Sequence, residues 1–108
     1  MTCEDIVAML APMNLPLAYH HYAEGEAPEL PYLIYVLPNT NNFHADGKVH
    51  AKINELDIEL YTAVKNPELE AQLENILDDN GLCYEKTEDW LSTEKMYEVL
   101  YEMEVTQS

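Results

Sequence analysis

The segment Leu30–His50, LPYLIYVLPNTNNFHADGKVH, changes from apolar to polar halfway along its length. Its first part, Tyr32–Leu37, is dense in aromatic and branched residues and is bounded by prolines. This predicts a strand that is buried on both faces, or buried on one face with a partner covering the other. Its second part, Asn39–Lys48, predicts a polar loop that carries a lone phenylalanine, Phe43. The segment therefore predicts the centre of a sheet with a long loop beside it.

The following segment, Val49–Thr62, predicts the strand that pairs with it across this loop. In its second half Leu56, Ile58 and Leu60 share one face, and Asp57, Glu59 and Tyr61 share the other. Val49, Ala51 and Ile53 have the opposite parity, so the apolar side shifts by one residue around Asn54–Glu55. A β-bulge at that point, or a change of covering partner, explains the shift.

Two short amphipathic helices are predicted. The first is capped by Thr2 and ends near Leu10 or Ala11, because prolines follow. Its apolar stripe consists of Ile6, Met9, Leu10 and Met13. The second is capped by Asn66 and closed by Gly81. Its apolar stripe consists of Leu69, Leu73, Ile76 and Leu77, and its predicted solvated outer face of Glu70, Gln72, Glu74, Asn75 and Asp78.

Three further segments predict strands. Leu17–Tyr22 is a short extended piece, and Leu82–Glu88 with Lys95–Val105 forms a closing hairpin across the turn Asp89–Glu94. In the last segment Tyr97, Val99, Tyr101, Met103 and Val105 point one way, and Met96, Glu98, Leu100, Glu102 and Glu104 the other. A helix from Ser92 onward competes, because Met96, Val99, Leu100 and Met103 also fit a period of 3.6 residues. The alternation favours the strand.

These elements predict one α+β domain over residues 1–108, with a loose tail at residues 106–108. The expected architecture is a two-layer sandwich in which two helices pack on an antiparallel sheet of four to five strands. The expected order along the chain is α-β-β-β-α-β-β. No apolar stretch is long enough to span a bilayer and no secretory signal is readable at the N-terminus, so we expect a soluble protein made in a cytosol.

Charge limits the classes of function. The chain of 108 residues has a formal net charge of −16, and its five cationic side chains are all lysines. Without arginine it lacks the forked donors that read phosphates and base edges, so nucleic-acid binding through a basic groove is close to excluded. The same charge could keep DNA off a surface, or imitate DNA to occupy a DNA-binding partner. The two cysteines, Cys3 and Cys83, are predicted to pack as small apolar side chains.

The sequence predicts no enzyme, metal site or cofactor. His20 and His21 are adjacent, so on a strand they point to opposite faces and cannot bind one ion together. A site from His44, Asp46 and His50 is conceivable, but no fixed element holds that spacing. Asp57 and Glu59 share a strand face at a spacing that an acid–base pair could use, yet a chain with twenty-one acids supplies such pairs by chance.

Tyrosine is unusually frequent among the aromatic residues, with eight copies against one phenylalanine and one tryptophan. Its apolar ring and polar tip suit surfaces that are wet in a free subunit and covered after assembly. Half of these side chains could equally be ordinary residues at the rim of the core. We expect both situations, because so small a sandwich leaves much of one sheet face uncovered.

Four pieces of the sequence, in this order, resemble a family of small proteins from the neck of long-tailed bacteriophages. They are the strand Pro31–Tyr35, the loop Asn42–Asp46, the strand end Glu59–Thr62 and the segment Glu94–Val99. The resemblance runs from about Leu15 to Val105. Such proteins are tail terminators, also called tail completion or tail-to-head joining proteins. The resemblance implies an α+β subunit that forms a ring, typically of six copies, on the head-proximal end of the tail tube.

The resemblance also implies partners and a location. The partners are other copies of the chain, the tail-tube protein and the head connector, and genomic DNA passes through the ring without specific binding. Phe43 would be an anchor inserted into a neighbour, the alternative being that it folds back on its own sheet. The other implied interface residues are Asn39, Asn42, His44, Asp46, Tyr35 and Tyr61. The location is the virion, after assembly in the cytoplasm of the bacterial host.

Acids that face the channel of such a ring would repel the DNA backbone. Asp57 and Glu59 are candidates for this role, and the outer face of the second helix is another. Two other functions remain open. A head-completion or stopper protein would act on the other side of the same junction, and an acidic DNA mimic would block a DNA-binding protein.

Overall fold

The computed structural model of the chain describes residues 1–40, 43–45 and 48–106. The helices are α1 (Cys3–Leu10), a single 3₁₀ turn (Ala11–Met13) and α2 (Pro67–Asp79). The strands are β1 (Leu17–Tyr19), β2 (Tyr32–Val36), β3 (Phe43–Ala45), β4 (Lys48–Ala51), β5 (Ile53–Thr62), β6 (Tyr84–Leu91) and β7 (Met96–Thr106). Among the described residues, neither α-helix has the length and apolar character needed to cross a membrane.

The main sheet has five strands in the order β1-β2-β5-β7-β6. Strand β5 is antiparallel to both of its neighbours. Its Tyr61 lies opposite Tyr32 of β2, and its Thr62 lies opposite Tyr97 of β7. The predicted α+β fold is confirmed, but the prediction of a wholly antiparallel sheet is wrong because β1 runs parallel to β2. Residues 20–31 carry the chain back to the starting end of β1, and a crossover of about a dozen residues is long enough for a parallel pair.

One face of the sheet is covered by helices and holds the main core; we call it the helix-covered face. Its buried sheet residues are Leu33, Tyr35, Leu56, Ile58, Leu60, Val99, Tyr101, Met103 and Val105. The helical residues packed on them are Ile6, Met9, Leu10, Leu73 and Leu77, joined by Met13 from the 3₁₀ turn. These positions follow the predicted stripes, and truncating one such side chain to alanine costs about 2–5 kcal/mol.

Both helix starts are capped as the sequence predicted. The Thr2 hydroxyl accepts from the backbone N–H of Asp5 at 3.1 Å, and the Asp5 carboxylate accepts from the backbone N–H of Thr2 at 2.7 Å. The Asn66 side chain accepts from the backbone N–H of Leu69 at 3.1 Å. Gly81 follows α2 with a φ of +69°, the left-handed conformation that favours glycine after a helix. These local contacts fix where each helix begins and where the second one ends.

The predicted shift of parity before β5 comes from a change of partner and not from a bulge at Asn54–Glu55. The register of β5 against β7 is unbroken, from the pair of Ile53 and Thr106 at one end to the pair of Thr62 and Tyr97 at the other. Strands β3 and β4 form a separate two-stranded sheet, so the chain passes from one sheet to the other at Lys52. Val49 and Ala51 therefore belong to a different sheet from Leu56, Ile58 and Leu60, whereas Ile53 begins β5 and lies on the face opposite those three leucine and isoleucine side chains. A shift of register does occur in this small sheet, between Phe43 and His44.

The final segment is a strand, which settles the competition with a helix. β7 pairs with β5 from Tyr97 to Thr106 and with β6 from Met96 to Met103. Strand β6 continues to Leu91, three residues beyond the predicted end, and the turn is correspondingly shorter. Alternation decides the outcome because Val99, Tyr101 and Met103 enter the core while the residues between them face the other side.

Helix α2 is not solvated along its whole predicted outer face. Glu70 is only 3 % exposed and forms salt bridges with Lys65 at 2.8 Å and Lys86 at 2.7 Å. Lys86 also pairs with Glu74 at 2.8 Å, and the Tyr101 hydroxyl donates to Glu74 at 2.7 Å. The prediction failed because β6 crosses beside this face of the helix and brings Lys86 over it. This ion-pair network joins α2 to the sheet.

The network also controls two acid pKa values. Burial tends to raise the pKa of Glu70, but hydrogen bonds from Lys65 and Lys86 outweigh it and hold the pKa below its usual range. Burial likewise tends to raise the pKa of Glu74, and bonds from Lys86 and Tyr101 lower it. A carboxyl group with a lowered folded-state pKa stabilises the fold above its unfolded pKa. That contribution is lost as the pH falls from about 4.5 through the folded-state pKa.

We expect Glu70→Gln to lower the free energy of unfolding by about 1–3 kcal/mol at pH 7, because it leaves two lysines without their shared carboxylate. The difference from the wild type should shrink below about pH 4, where Glu70 itself becomes protonated. Urea unfolding at both pH values measures it. The matched control is Asp79→Asn, an exposed acid at the end of the same helix, for which we expect a change under about 0.5 kcal/mol. Equal effects of the two substitutions would contradict a structural role for the network.

Candidate functional site: the open face of the sheet

None of the described helices packs on the second face of the main sheet; we call it the open face. Alternate residues of β5, β6 and β7 place eight acids there: Glu55, Asp57, Glu59, Glu85, Asp89, Glu98, Glu102 and Glu104. The strand register sets Asp57, Glu102 and Glu85 side by side in one row. A second row holds Tyr61, Glu98 and Asp89. Three adjacent strands thus present one continuous acidic surface.

The acids of the open face crowd one another most closely around Asp57. Carboxylate oxygens of Glu55, Asp57 and Glu102 lie within 4.8 Å of one another. Burial raises the pKa of Asp57 to about 6, with further contributions from the charges of Glu55, Glu102 and Glu59. Oδ1 of Asp57 is buried and has no hydrogen-bond partner within the described part of the chain. The centre of the face therefore combines unneutralised charge with an unused acceptor.

A second crowded point lies around Glu98. Burial raises the pKa of Glu98, and the charges of Glu59 and Asp89 raise it further. The Tyr61 hydroxyl donates to Glu59 at 2.5 Å, which gives that carboxylate one satisfied oxygen. Burial and this bond to a carboxylate together raise the pKa of Tyr61, so its hydroxyl keeps the proton that it donates to Glu59. The two crowded points adjoin, because Glu59 acts on both Asp57 and Glu98.

The two ends of the open face differ in character. At one end lies an open depression of about 760 Å³, lined by Glu55, Cys83, Tyr84, Glu85, Glu102 and Glu104 among others. At the other end Tyr32, Ile34 and Tyr61 form a second buried apolar cluster. Tyr22, Leu30, Leu91 and Met96 pack against this cluster. A partner lying along the face would therefore contact carboxylates at the end with the depression and apolar side chains at the end with the Tyr32–Ile34–Tyr61 cluster.

One prediction about side-chain exposure is wrong and another is confirmed. Cys3 and Cys83 are both exposed, since one lies on the first turn of α1 and the other on the loop before β6. The expectation that half of the tyrosines belong to the core is confirmed, and their rings pack mostly on one another. The buried tyrosines are Tyr32, Tyr35, Tyr61 and Tyr101. Ring pairs such as Tyr32–Tyr61 at 5.2 Å and Tyr84–Tyr101 at 5.3 Å cover each other within the chain.

The residues that the family resemblance assigns to an interface are spread over the structure. Tyr35 is buried on the helix-covered face, whereas Tyr61 lies in the apolar cluster of the open face. Asn39 is exposed, and its carbonyl accepts from the backbone N–H of Glu55 at 2.9 Å. Phe43 and His44 belong to β3, and the predictions for Asn42 and Asp46 lie outside the described residues. The candidate channel acids, Asp57 and Glu59, do share one face.

The histidine pair differs from its prediction. The chain leaves β1 at Tyr19, and His20 adopts a φ of 71°. As a result the Nδ1 atoms of His20 and His21 lie 3.0 Å apart, instead of pointing to opposite faces of a strand. In the described part of the chain, the group of three side chains close enough to share a metal ion is Glu55, Asp57 and Glu102. The triplet with Asp46 lies partly outside the described residues.

The sequence predicted which face of its strand each acid occupies, but not that acids of three strands lie side by side on one face of the sheet. The alternation in β5 and β7 placed Asp57, Glu59 and Glu102 on strand faces opposite the apolar residues. What it could not supply was the strand order, in which β7 lies between β5 and β6. That order converts three separate acidic stripes into one surface. The signal that could have found it is the shared parity of the acids in β5 and β7, two strands that bury their other face.

We expect Asp57→Asn to raise the free energy of unfolding by about 1 kcal/mol at pH 7, allowing for solvent screening. The folded-state pKa lies above the unfolded value, so ionisation of Asp57 opposes folding at neutral pH and the folded state takes up a proton first as the pH falls. The gain should therefore shrink below about pH 6 and vanish near pH 4. Urea unfolding from pH 4 to 8 measures it, with Asp79→Asn as control. A gain that does not change with pH would contradict the raised pKa.

Comparison with known proteins assigns no family to the chain. No family model matches the sequence, and no curated protein matches it.

Proposed function

We propose that this protein is a structural subunit of the neck of a long-tailed bacteriophage. Copies of it form a ring that caps the head-proximal end of the tail tube and docks it to the head connector. In this role the chain acts by shape, without substrate or cofactor. The copy number expected from the family resemblance is six.

The observation that carries the proposal is where the resembling pieces of sequence lie in the fold. Pro31–Tyr35 enters β2, Glu59–Thr62 ends β5, and Glu94–Val99 enters β7. The register sets Tyr32 opposite Tyr61 and Thr62 opposite Tyr97, so these three pieces are neighbours at one end of the sheet. They contain the three buried residues of the second apolar cluster, Tyr32, Ile34 and Tyr61, and Met96, which packs against it. Pieces that are distant in sequence but adjacent in space support a resemblance of structure rather than of composition.

The shape of the subunit also supports assembly. The described chain measures 50 by 30 by 23 Å, and its sheet has β1 and β6 as its two edges. Strand edges and a helix-free face are surfaces that neighbouring molecules can complete. Of the fourth resembling piece, Phe43–Ala45 forms strand β3 of the separate β3–β4 sheet. That hairpin would carry Phe43 to a neighbouring subunit.

In a ring, the channel would be lined by acids that repel the DNA backbone and let it pass without binding. The open face, which includes Asp57 and Glu59, is one surface that can supply them. The exposed acids of α2 form a second such surface. They include Asp78 but exclude Glu70, which is buried. A ring of such subunits is also self-repelling, so its assembly should be favoured by salt.

A stopper or head-completion role at the same junction fits the same geometry. The two roles differ in the partner that the protein retains. A tail terminator should pull down the tail-tube protein, whereas a stopper should pull down portal or adaptor protein. Electron microscopy of the purified protein added to tail tubes tests the leading proposal, with a ring on one end of the tube as the expected image. Bare tube ends at saturating protein would contradict it.

One observation favours a function of a different class, an acidic mimic of DNA. The open face gathers eight acids on three adjacent strands, with neighbours about 5 Å apart across strands and about 7 Å apart along them. A surface of this kind can occupy the DNA site of a binding protein. A competition assay that shows displacement of duplex DNA from a nuclease or repressor would favour the mimic over the ring.

We expect Phe43→Ala to weaken ring formation by about tenfold or more, because an anchor side chain in a neighbour contributes a large share of the interface energy. Native mass spectrometry at several protein concentrations measures the ring fraction, and urea unfolding checks that the fold is unchanged. The matched control is Val64→Ala, an apolar side chain that is 70 % exposed on the loop before α2. Unchanged assembly of Phe43→Ala would count against the anchor.

A further inference from the structure

The charges of the chain are not neutralised evenly. Lys65 and Lys86 pair with Glu70, Glu74 and Glu88, on the side of the sheet that faces α2. By contrast, seven acids of the open face form no salt bridge with any cation of the described residues. These seven are Glu55, Asp57, Glu59, Glu85, Asp89, Glu98 and Glu102. The open face is therefore the surface on which uncompensated charge accumulates.

The open face also contains a hydrogen-bond acceptor that lacks a donor. Oδ1 of Asp57 is buried without a hydrogen-bond partner in the described chain, while Glu55 and Glu102 crowd it with like charge. A buried acceptor without a donor and adjacent like charges both raise the free energy of the uncovered face. A surface that only repelled DNA would work equally well with widely spaced, fully solvated carboxylates. The arrangement favours an occupant that brings positive charge and N–H donors.

We propose that the open face binds the lysine- and arginine-rich surface of another protein. Guanidinium and ammonium groups would neutralise the carboxylates around Asp57 and Glu98, and a forked guanidinium can bridge two of them. Apolar side chains of the same partner would contact Leu100 between the two acidic rows and the cluster around Met96 at the end of the face. This inference does not depend on the ring, and it holds for a free subunit.

Charge complementarity excludes the other occupants on physical grounds. A second copy of this chain brings a net charge of −16 and the same acidic face, so two open faces repel each other. A single divalent ion can serve the carboxylates around Asp57, but the row of Glu98 and Asp89 lies four residues further along the strands, about 13 Å away. Only an extended cationic surface reaches both rows. If the chain is a ring subunit, the exposed acids of α2 are then left to face the channel.

The binding test uses ¹⁵N-labelled full-length protein and a synthetic peptide of alternating arginine and valine as the probe. An extended strand of this pattern presents its cations about 7 Å apart, the spacing of acids along β5 and β7. We expect amide shifts of β5, β6 and β7 to change on titration, centred on Asp57 and Glu98. A peptide of alternating glutamate and valine should cause no shifts. Shift changes confined to α2, or none at all, would overturn the proposal.

Two variants with equal net charge separate local recognition from bulk attraction. The first neutralises the open face through Glu55→Gln, Glu85→Gln, Asp89→Asn and Glu102→Gln. The second neutralises four exposed acids elsewhere, through Glu24→Gln, Glu26→Gln, Glu29→Gln and Asp79→Asn. We expect the first to weaken peptide binding by roughly tenfold or more and the second by less than about threefold, since charges outside a contact act weakly and are screened by salt. Amide spectra and urea unfolding establish that both are folded.

Three results would overturn the proposal. Equal losses in the two variants would mean that the peptide responds only to overall charge. Displacement of the peptide by millimolar Mg²⁺, with the same amide shifts produced by Mg²⁺ alone, would identify the occupant as a divalent ion. Peptide-independent dimers that form through β5 and β7 would identify it as a second copy.

Discussion

The strict alternation of residues along β5 is the constraint on which the rest of the structure depends. This strand is bonded on both sides, to β2 and to β7, so its register orients the sheet. Leu56, Ile58 and Leu60 are fully buried on one face, and the intervening residues are forced to the other. Helices α1 and α2 cover the apolar side. The acids then share the remaining face whether or not they repel one another.

Local signals explain why much of this fold could be predicted from the sequence. Caps at Thr2 and Asn66, the closing Gly81 and the alternation of β7 each act within a few residues, so one segment contains the whole signal. Contacts between distant segments were missed. The salt bridges of Glu70 require β6 to lie beside α2, and the parallel pairing of β1 requires the return of residues 20–31. Neither is encoded in the periodicity of any one element.

The candidate site likewise has a part that could be predicted from local sequence and a part that depends on contacts between distant segments. Parity placed Asp57 and Glu59 on one strand face, but only the strand order shows that acids of β6 and β7 join them. Which tyrosines are buried could not be predicted, for a related reason. A tyrosine on a strand suggests an amphipathic surface, yet its ring can be covered by a second tyrosine across the sheet, as Tyr32 is by Tyr61. Pair contacts of this kind depend on register, which composition does not contain.

The edge strand β6 carries the single tryptophan of the chain, and this has a practical consequence. Trp90 is 46 % exposed and its ring lies 4.7 Å from that of Tyr97 on β7. It projects from the face opposite Asp89, its neighbour in sequence. Its emission spectrum therefore reports on the outer boundary of the sheet without any label. Quenching by a neutral agent such as acrylamide would reveal when a neighbouring molecule shields that boundary, even if the neighbour itself contains no chromophore.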